Sequence, residues 1–222
     1  MIVGGTNMLF RKKGLKKEWS RLVTNYERKY TGFTANFNEG VSEKEWNRYA
    51  SQFGFDLPEK MKELYSLCNG DNDTFIAGSI LGMKFLSIEQ VYSEWKIQNE
   101  VISSLSTTDL QKLNEHCTSI EPGKIKCQCM NTLWIPIADD SGGNYIGIDL
   151  DPDDHGTVGQ IINFGRDENE KIVIASSLHE FIVLIADIIE SDECVMEEFE
   201  DQQVFVFDGH WHAIDYLKAR ST

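Results

Sequence analysis

No apolar run in the 222-residue sequence approaches the roughly 18 residues that a membrane-spanning helix requires, which excludes an integral membrane protein of that kind. No apolar stretch follows the charges of Arg11, Lys12 and Lys13 either, so a secretory signal is not expected and the cytoplasm is the expected location. Nothing repeats at a solenoid period. Proline is scarce, at four residues, and the cysteine count is an odd five. Cys68, Cys117, Cys127, Cys129 and Cys194 are scattered, as suits reduced thiols better than a disulfide framework. What the chain does have is 41% apolar and 11% aromatic residues, too many for a disordered polymer, and a length that suits one hydrophobic core.

Basic residues are in deficit. Twenty-one Lys and Arg against 36 Asp and Glu give a net charge of −15, opposite to what a phosphate-contacting face needs, so nucleic-acid binding is not expected. The charge is unevenly placed. Residues 1–30 carry eight Lys or Arg against two Glu, whereas residues 133–208 carry nineteen acids against Arg166 and Lys171. That asymmetry gives an acidic field able to steer a basic partner, or simply to keep the protein soluble.

The first half reads as helical. Trp19, Leu22, Val23, Tyr26 and Tyr30 form one stripe over residues 16–30, with a Lys- and Arg-bearing back expected to face solvent. Ser42 with Glu45 is a capping-box pair ahead of Trp46, Tyr49 and Phe53. Pro58 opens a further helix through Met61, Leu64 and Tyr65, and Asn69-Gly70 is expected to stop it. Residues 76–85 read as one or two short strands, and Ser87 caps a helix running through Val91 and Trp95. Residues 103–128 allow only a short helix around Leu110 and Leu113.

The second half turns to strands. Residues 133–138 and 145–150 flank the turn-rich Asp139-Asp140-Ser141-Gly142-Gly143-Asn144, and two further strands at 158–164 and 171–175 complete an antiparallel meander. Ser176-Ser177 caps an apolar helix through Ile189, expected to lie across that sheet. An acidic segment then precedes Val204-Phe205-Val206-Phe207, read as an edge strand open either to a second copy, giving a homodimer, or to cover by the terminal segment.

Candidate chemistry is sparse. Asp149, Asp151 and Asp153 alternate like calcium ligands, but Asp154 stands where the loop needs glycine and Gln160 where it needs glutamate, so a solvated acidic turn is the preferred reading. His116, Cys117, Cys127 and Cys129 are zinc candidates without a paired C-x-x-C, and reduced thiols need no metal. Val183 occupies the second-histidine place after His179-Glu180, and no nucleophile elbow or phosphate loop is found. A non-catalytic protein without a cofactor is expected.

Trp19, Asn38-Glu39-Gly40-Val41-Ser42-Glu43-Lys44-Glu45, Phe53-Gly54-Phe55-Asp56-Leu57-Pro58-Glu59 and Leu64-Tyr65-Ser66-Leu67-Cys68-Asn69-Gly70-Asp71 follow one another in a characteristic order. Leu86-Ser87-Ile88-Glu89-Gln90-Val91, Trp134-Ile135-Pro136-Ile137 through Asn144, and Ser176-Ser177-Leu178-His179-Glu180-Phe181-Ile182 continue it. In this order the sequence resembles the SUKH superfamily, the Smi/Knr-like proteins, over about residues 19–190. Residues 1–18 read as an N-terminal extension and 191–222 as an acidic C-terminal segment packing on or extending the domain. Segment 103–128 is longer and richer in cysteine than the resemblance leads one to expect.

The resemblance implies a single α+β domain, a mainly antiparallel meander packed with helices, that lacks known catalytic residues and acts by binding other proteins. Its bacterial members are implied to be immunity proteins that neutralise a toxin, often a nuclease. On that implication the expected partner is a basic toxin domain, met by an acidic rim of Asp139, Asp140 and Asn144 together with Asp149, Asp151, Asp153 and Asp154. The alternative is a regulatory or scaffold protein of cell-wall synthesis or signalling, as in the fungal namesakes.

Overall fold

The structure, a computed structural model, describes residues 14–221 other than 76, 200 and 201, so the expectations for residues 1–13 lie outside the described residues. Helix α1 (Leu15–Lys29) buries Leu15, Trp19, Leu22 and Tyr26, positions spaced to fall on one face. The boundary expected at residue 18 therefore falls inside this helix. Its basic back is not simply solvated: Arg21 bonds Asp187 and Glu190 of helix α6 (Leu178–Glu190).

Strand β1 (Phe37–Glu39) leads to α2 (Glu43–Ala50), where Ser42 and Glu45 form both bonds of the capping box. Helix α3 (Glu59–Leu67) follows Pro58. The helix stops at Leu67, just before Asn69-Gly70, and Gly70 takes a positive φ of 77°. The chain passes directly into strand β2 (Cys68–Asp71), because β1 offers it an antiparallel partner that the local pattern does not reveal. After β3 (Lys84–Phe85), Ser87 and Gln90 box the start of the 17-residue α4 (Ile88–Ser104), and Ser106 caps α5 (Thr107–Asn114). Strand β4 (Thr118–Ser119) lies within the long segment and pairs in parallel with β8 (Glu170–Lys171).

The expected meander is present as β5 (Trp134–Asp139), β6 (Asn144–Asp149), β7 (Gln160–Gly165) and β9 (Val173–Ala175), all antiparallel, with β3 added at the β5 edge. Both faces of this sheet are covered. Ile135, Ile146, Ile148 and Ile161 face the main core with Phe181, Ile182, Ile185 and Ile189 of α6, and Trp134, Tyr145, Ile162 and Phe164 form a second cluster with Ile125. Each such buried side chain is worth about 1.5–3 kcal/mol relative to exposure. The chain is thus α+β, as expected.

Val204–Phe207 is an edge strand of a two-stranded sheet. It belongs to β11 (Gln202–Phe207), which pairs with β10 (Cys194–Phe199) of the same chain. The alternation places Cys194, Phe205 and Phe207 on the buried side. The last helix, α7 (Ala213–Ser221), buries Ala213, Ile214, Tyr216 and Leu217 in the main core. Among the described residues, no helix is long and apolar enough to cross a membrane.

Candidate functional site

The turn between β5 and β6 is organised by its own acids. Asp139 Oδ1 accepts from Ser141 N at 2.9 Å, while Asp140 Oδ1 accepts from Gly142 N at 2.6 Å and Asn144 N at 3.0 Å. Asp140 Oδ2 accepts from Asn144 Nδ2 at 2.8 Å, and Asn144 Oδ1 in turn holds Asp167 N. Ser141 (φ 64°) and Gly143 (φ 93°) supply the left-handed conformations that reverse the chain. Burial acts to raise the Asp140 carboxyl, but the bonds from Asn144 and Gly142, with His212 beside them, outweigh it and hold it below its usual range. Asp139 goes the other way, raised by burial and by the neighbouring charges of Glu94 and Asp140.

Two further segments meet this turn. Residues 77–83 form a tight double reversal, with Gly78 and Gly82 exchanging backbone hydrogen bonds at 3.1 and 2.9 Å and Ile80 pairing with Met83. A Cβ on Gly78 would lie 2.1 Å from the Met83 carbonyl oxygen, so the reversal requires glycine there. Asp71, almost wholly buried, anchors it by accepting from Ser79 N at 2.9 Å and Phe85 N at 2.8 Å, and burial pushes its carboxyl up to about 6. Asp73 lies at the mouth and pairs with Lys84 at 2.7 Å. From the other side comes the corner between β11 and α7, where His212 Nε2 stands 3.3 Å from Asp140 Oδ2 and Trp211 is 62% exposed, edge-on to the exposed Phe199 ring.

Together these segments enclose two adjoining cavities. One, of about 200 Å³, is largely apolar and is walled by Leu81, Met83, Val204, Phe205 and Trp211. The other, of about 330 Å³, is acidic, with Asp71, Asp73, Asp139 and Ser141 in its wall and Lys84 as its cation. Asp140 and Gly82 line both. The arrangement suits a ligand that presents an apolar group beside a positive one.

The other expected acids are elsewhere. In the β5–β6 register Asp139 pairs with Tyr145 and Trp134 with Asp149, so the two acidic loops lie at opposite ends of the hairpin, roughly 17 Å apart at 3.3 Å per residue. They form two separate acidic patches. Asp149 is not on the surface at all: it is fully buried, accepting from Trp134 Nε1 at 2.9 Å, Gln160 Nε2 at 2.8 Å and Asp151 N at 2.9 Å. Asn144 is also buried, as the clamp of its turn. Asp151 bonds Asn131 and Lys126, and Asp153 accepts from Asp154 N, leaving Asp154 as the exposed acid of that loop. In the sequence, His210 and His212, which flank Trp211, read as structural, and Asp71, Asp73 and Lys84 are not singled out. The Gly-rich reversal after Asp71 is the available signal for Asp71, Asp73 and Lys84.

Of the zinc candidates, Cys117 and Cys129 are adjacent, whereas His116 and Cys127 are exposed. Among the described residues, no group of three or more His, Cys, Asp or Glu is placed to hold a metal ion.

Similarity to known proteins agrees with this architecture. A fission-yeast protein, the cell wall biosynthesis/cell cycle regulator smi1 of Schizosaccharomyces pombe, is 26% identical over 93% of this chain and 43% of its own length. The glucan synthesis regulatory protein of Neurospora crassa is 24% identical over 81% of the chain and 39% of its own, and the cell wall assembly regulator SMI1 of Saccharomyces cerevisiae 26% over 69% and 36%. The chain therefore spans less than half the length of these relatives. Residues 40–184, which take in the whole five-stranded sheet, the 77–83 reversal and the Asp139–Asn144 turn, match the SMI1 / KNR4 family (SUKH-1), and the chain belongs to that family.

Proposed function

We propose that this chain is a non-catalytic, protein-binding module of a cell-wall or glucan-synthesis regulator, and that it holds a cationic, partly apolar segment of its partner in the groove around Asp140. The observation that carries the reading is the junction of an acidic cavity with an apolar one at Asp140, beside the exposed Trp211. Acids at the mouth steer a positive partner towards the groove, and an exposed aromatic is the kind of residue that anchors it. The regulator names of the relatives move the reading away from toxin neutralisation. Partner charge stays as expected; the partner's role changes.

A chimera in which this chain replaces its counterpart in the budding-yeast relative tests the proposal, scored for growth on a dye that stresses the cell wall. The chimera should restore growth, and Asp73→Lys combined with Asp139→Lys should abolish it without moving the thermal midpoint by more than a few degrees. Growth supported equally by the double variant would overturn the assignment of the groove.

A further inference from the structure

We propose that Cys117 and Cys129 are a thiol-redox pair that forms a reversible disulfide, which makes the long segment between α4 and β5 a second functional site independent of the groove. The two sulfurs are free thiols 3.0 Å apart. Both turn to one acceptor, the Leu113 carbonyl in the last turn of α5, which Cys129 Sγ reaches at 2.8 Å and Cys117 Sγ at 3.8 Å. Asn114 fixes both backbones: the Cys117 amide donates to its carbonyl at 3.0 Å and the Cys129 amide to its Oδ1 at 2.9 Å. The end of one helix therefore holds the two cysteines side by side, and their proximity is built into the backbone rather than left to side-chain freedom.

The surroundings favour chemistry at this pair. Lys171 is buried behind it, donating to the Glu168 carbonyl oxygen with its ammonium 5.9 Å from the Trp134 ring centre; burial lowers its pKa, and the nearby sulfurs oppose that shift. The thiolate is the reactive form. Burial, then the bond with Cys129, pushes the Cys117 thiol up to about 12, so Cys117 keeps its proton until the leaving hydroxide of an oxidised Cys129 takes it. Cys129 is partly exposed and is the sulfur an oxidant reaches.

The oxidant class is a hydroperoxide. The Cys129 thiolate attacks the peroxide oxygen; the O–O bond breaks, and the departing alkoxide or hydroxide takes a proton from solvent, leaving a sulfenic acid on Cys129. Cys117 sulfur then attacks Cys129 sulfur, the S–O bond breaks, and the leaving hydroxide takes the Cys117 proton as water. Two thiols lose two electrons and one peroxide gains them. An external dithiol reverses the reaction by exchange. The new bond closes a loop that contains β4, whose parallel partner β8 carries Lys171.

The test treats the full reduced chain with hydrogen peroxide, or with glutathione buffers from reduced to oxidised, then blocks remaining thiols with a maleimide and maps the peptides by mass. The expected result is loss of two of the five thiols, a peptide joining Cys117 to Cys129, and a thermal midpoint raised by about 5–10 °C and restored by dithiothreitol. Cys127→Ser should behave as the wild type, and Cys129→Ser should lose both the crosslink and the shift. The mapped peptide is read in the wild-type chain, so it does not depend on any variant folding. A crosslink through Cys127, oxidation that stops at separate sulfinic acids, five thiols unchanged in the most oxidising buffer, or one equivalent of zinc held by the pair would each overturn the proposal.

Discussion

His212 Nε2 lies 3.3 Å from Asp140 Oδ2, so the corner ahead of the last helix grips the turn between the two central strands. His212 Nδ1 accepts from Ile214 N at 3.3 Å, which holds the ring with Nε2 toward the Asp140 carboxylate. Asp140 thus joins segments seventy residues apart while it organises its own turn. The groove exists because both attachments are made at once.

Asp140→Ala should cost about 2–3 kcal/mol, because it strands the donors of Gly142 and Asn144, whereas His212→Ala should cost about 1 kcal/mol or less, its contact being long and partly open to water. The folded carboxyl titrates below its unfolded value, so its contribution is present above the unfolded value and is lost as pH falls through the folded one. Urea denaturation of both variants checks the order; equal costs would contradict it.

Asp71 has the opposite sign. Burial raises it from 3.8 to about 6, so between those values the folded state keeps a proton that the unfolded chain has released. Stability from this group therefore falls as pH rises through that window, by up to about 3 kcal/mol, and is level above it. Asp71→Asn should remove that dependence, visible as a wild-type minus variant difference that changes between pH 4 and 6. Parallel curves would show that the carboxyl is not perturbed.

Much of this architecture is legible locally. Ser42 and Glu45 are three residues apart and need only each other, and the Asp139–Asn144 turn carries its own signal, so helix starts and the central hairpin follow from short-range chemistry. The groove is not legible in that way, because Asp71, Asp140 and His212 converge from three distant stretches. Asp149 shows the same limit. Its burial depends on the indole of Trp134, which an alternation of aspartates cannot announce. Cys68 to Asp71 carries ordinary helix-stop residues, and only the presence of β1 makes a strand of them.

Gly78→Ala should destabilise the chain by more than about 2 kcal/mol, since the added Cβ meets the Met83 carbonyl carbon and oxygen at 2.2 and 2.1 Å, atoms of the backbone that cannot step aside. Calorimetry measures it. A thermal midpoint near that of the wild type would mean that the reversal over residues 77–83 is looser than described.

At the far end of the hairpin, Asp149→Ala should cost about 3 kcal/mol by stranding the donors of Trp134, Gln160 and Asp151, while Asp154→Ala should stay within about 0.5 kcal/mol. Neither Asp153→Lys nor Asp154→Lys should impair the growth of the chimera. Comparison of the two alanine variants by denaturation, and of the two lysine variants by growth, separates acids that hold the fold from acids that meet a partner.

The most direct test of the groove follows nitrogen-labelled protein by NMR during titration with a short peptide carrying arginine beside leucine, and with the same peptide carrying glutamate in place of arginine. The arginine peptide should shift the Trp211 indole and the Asp73 and Ser141 amides saturably, more weakly as salt is raised, and the glutamate peptide should not. Equal binding of both peptides, or shifts confined to the loop of Asp153 and Asp154, would contradict the account.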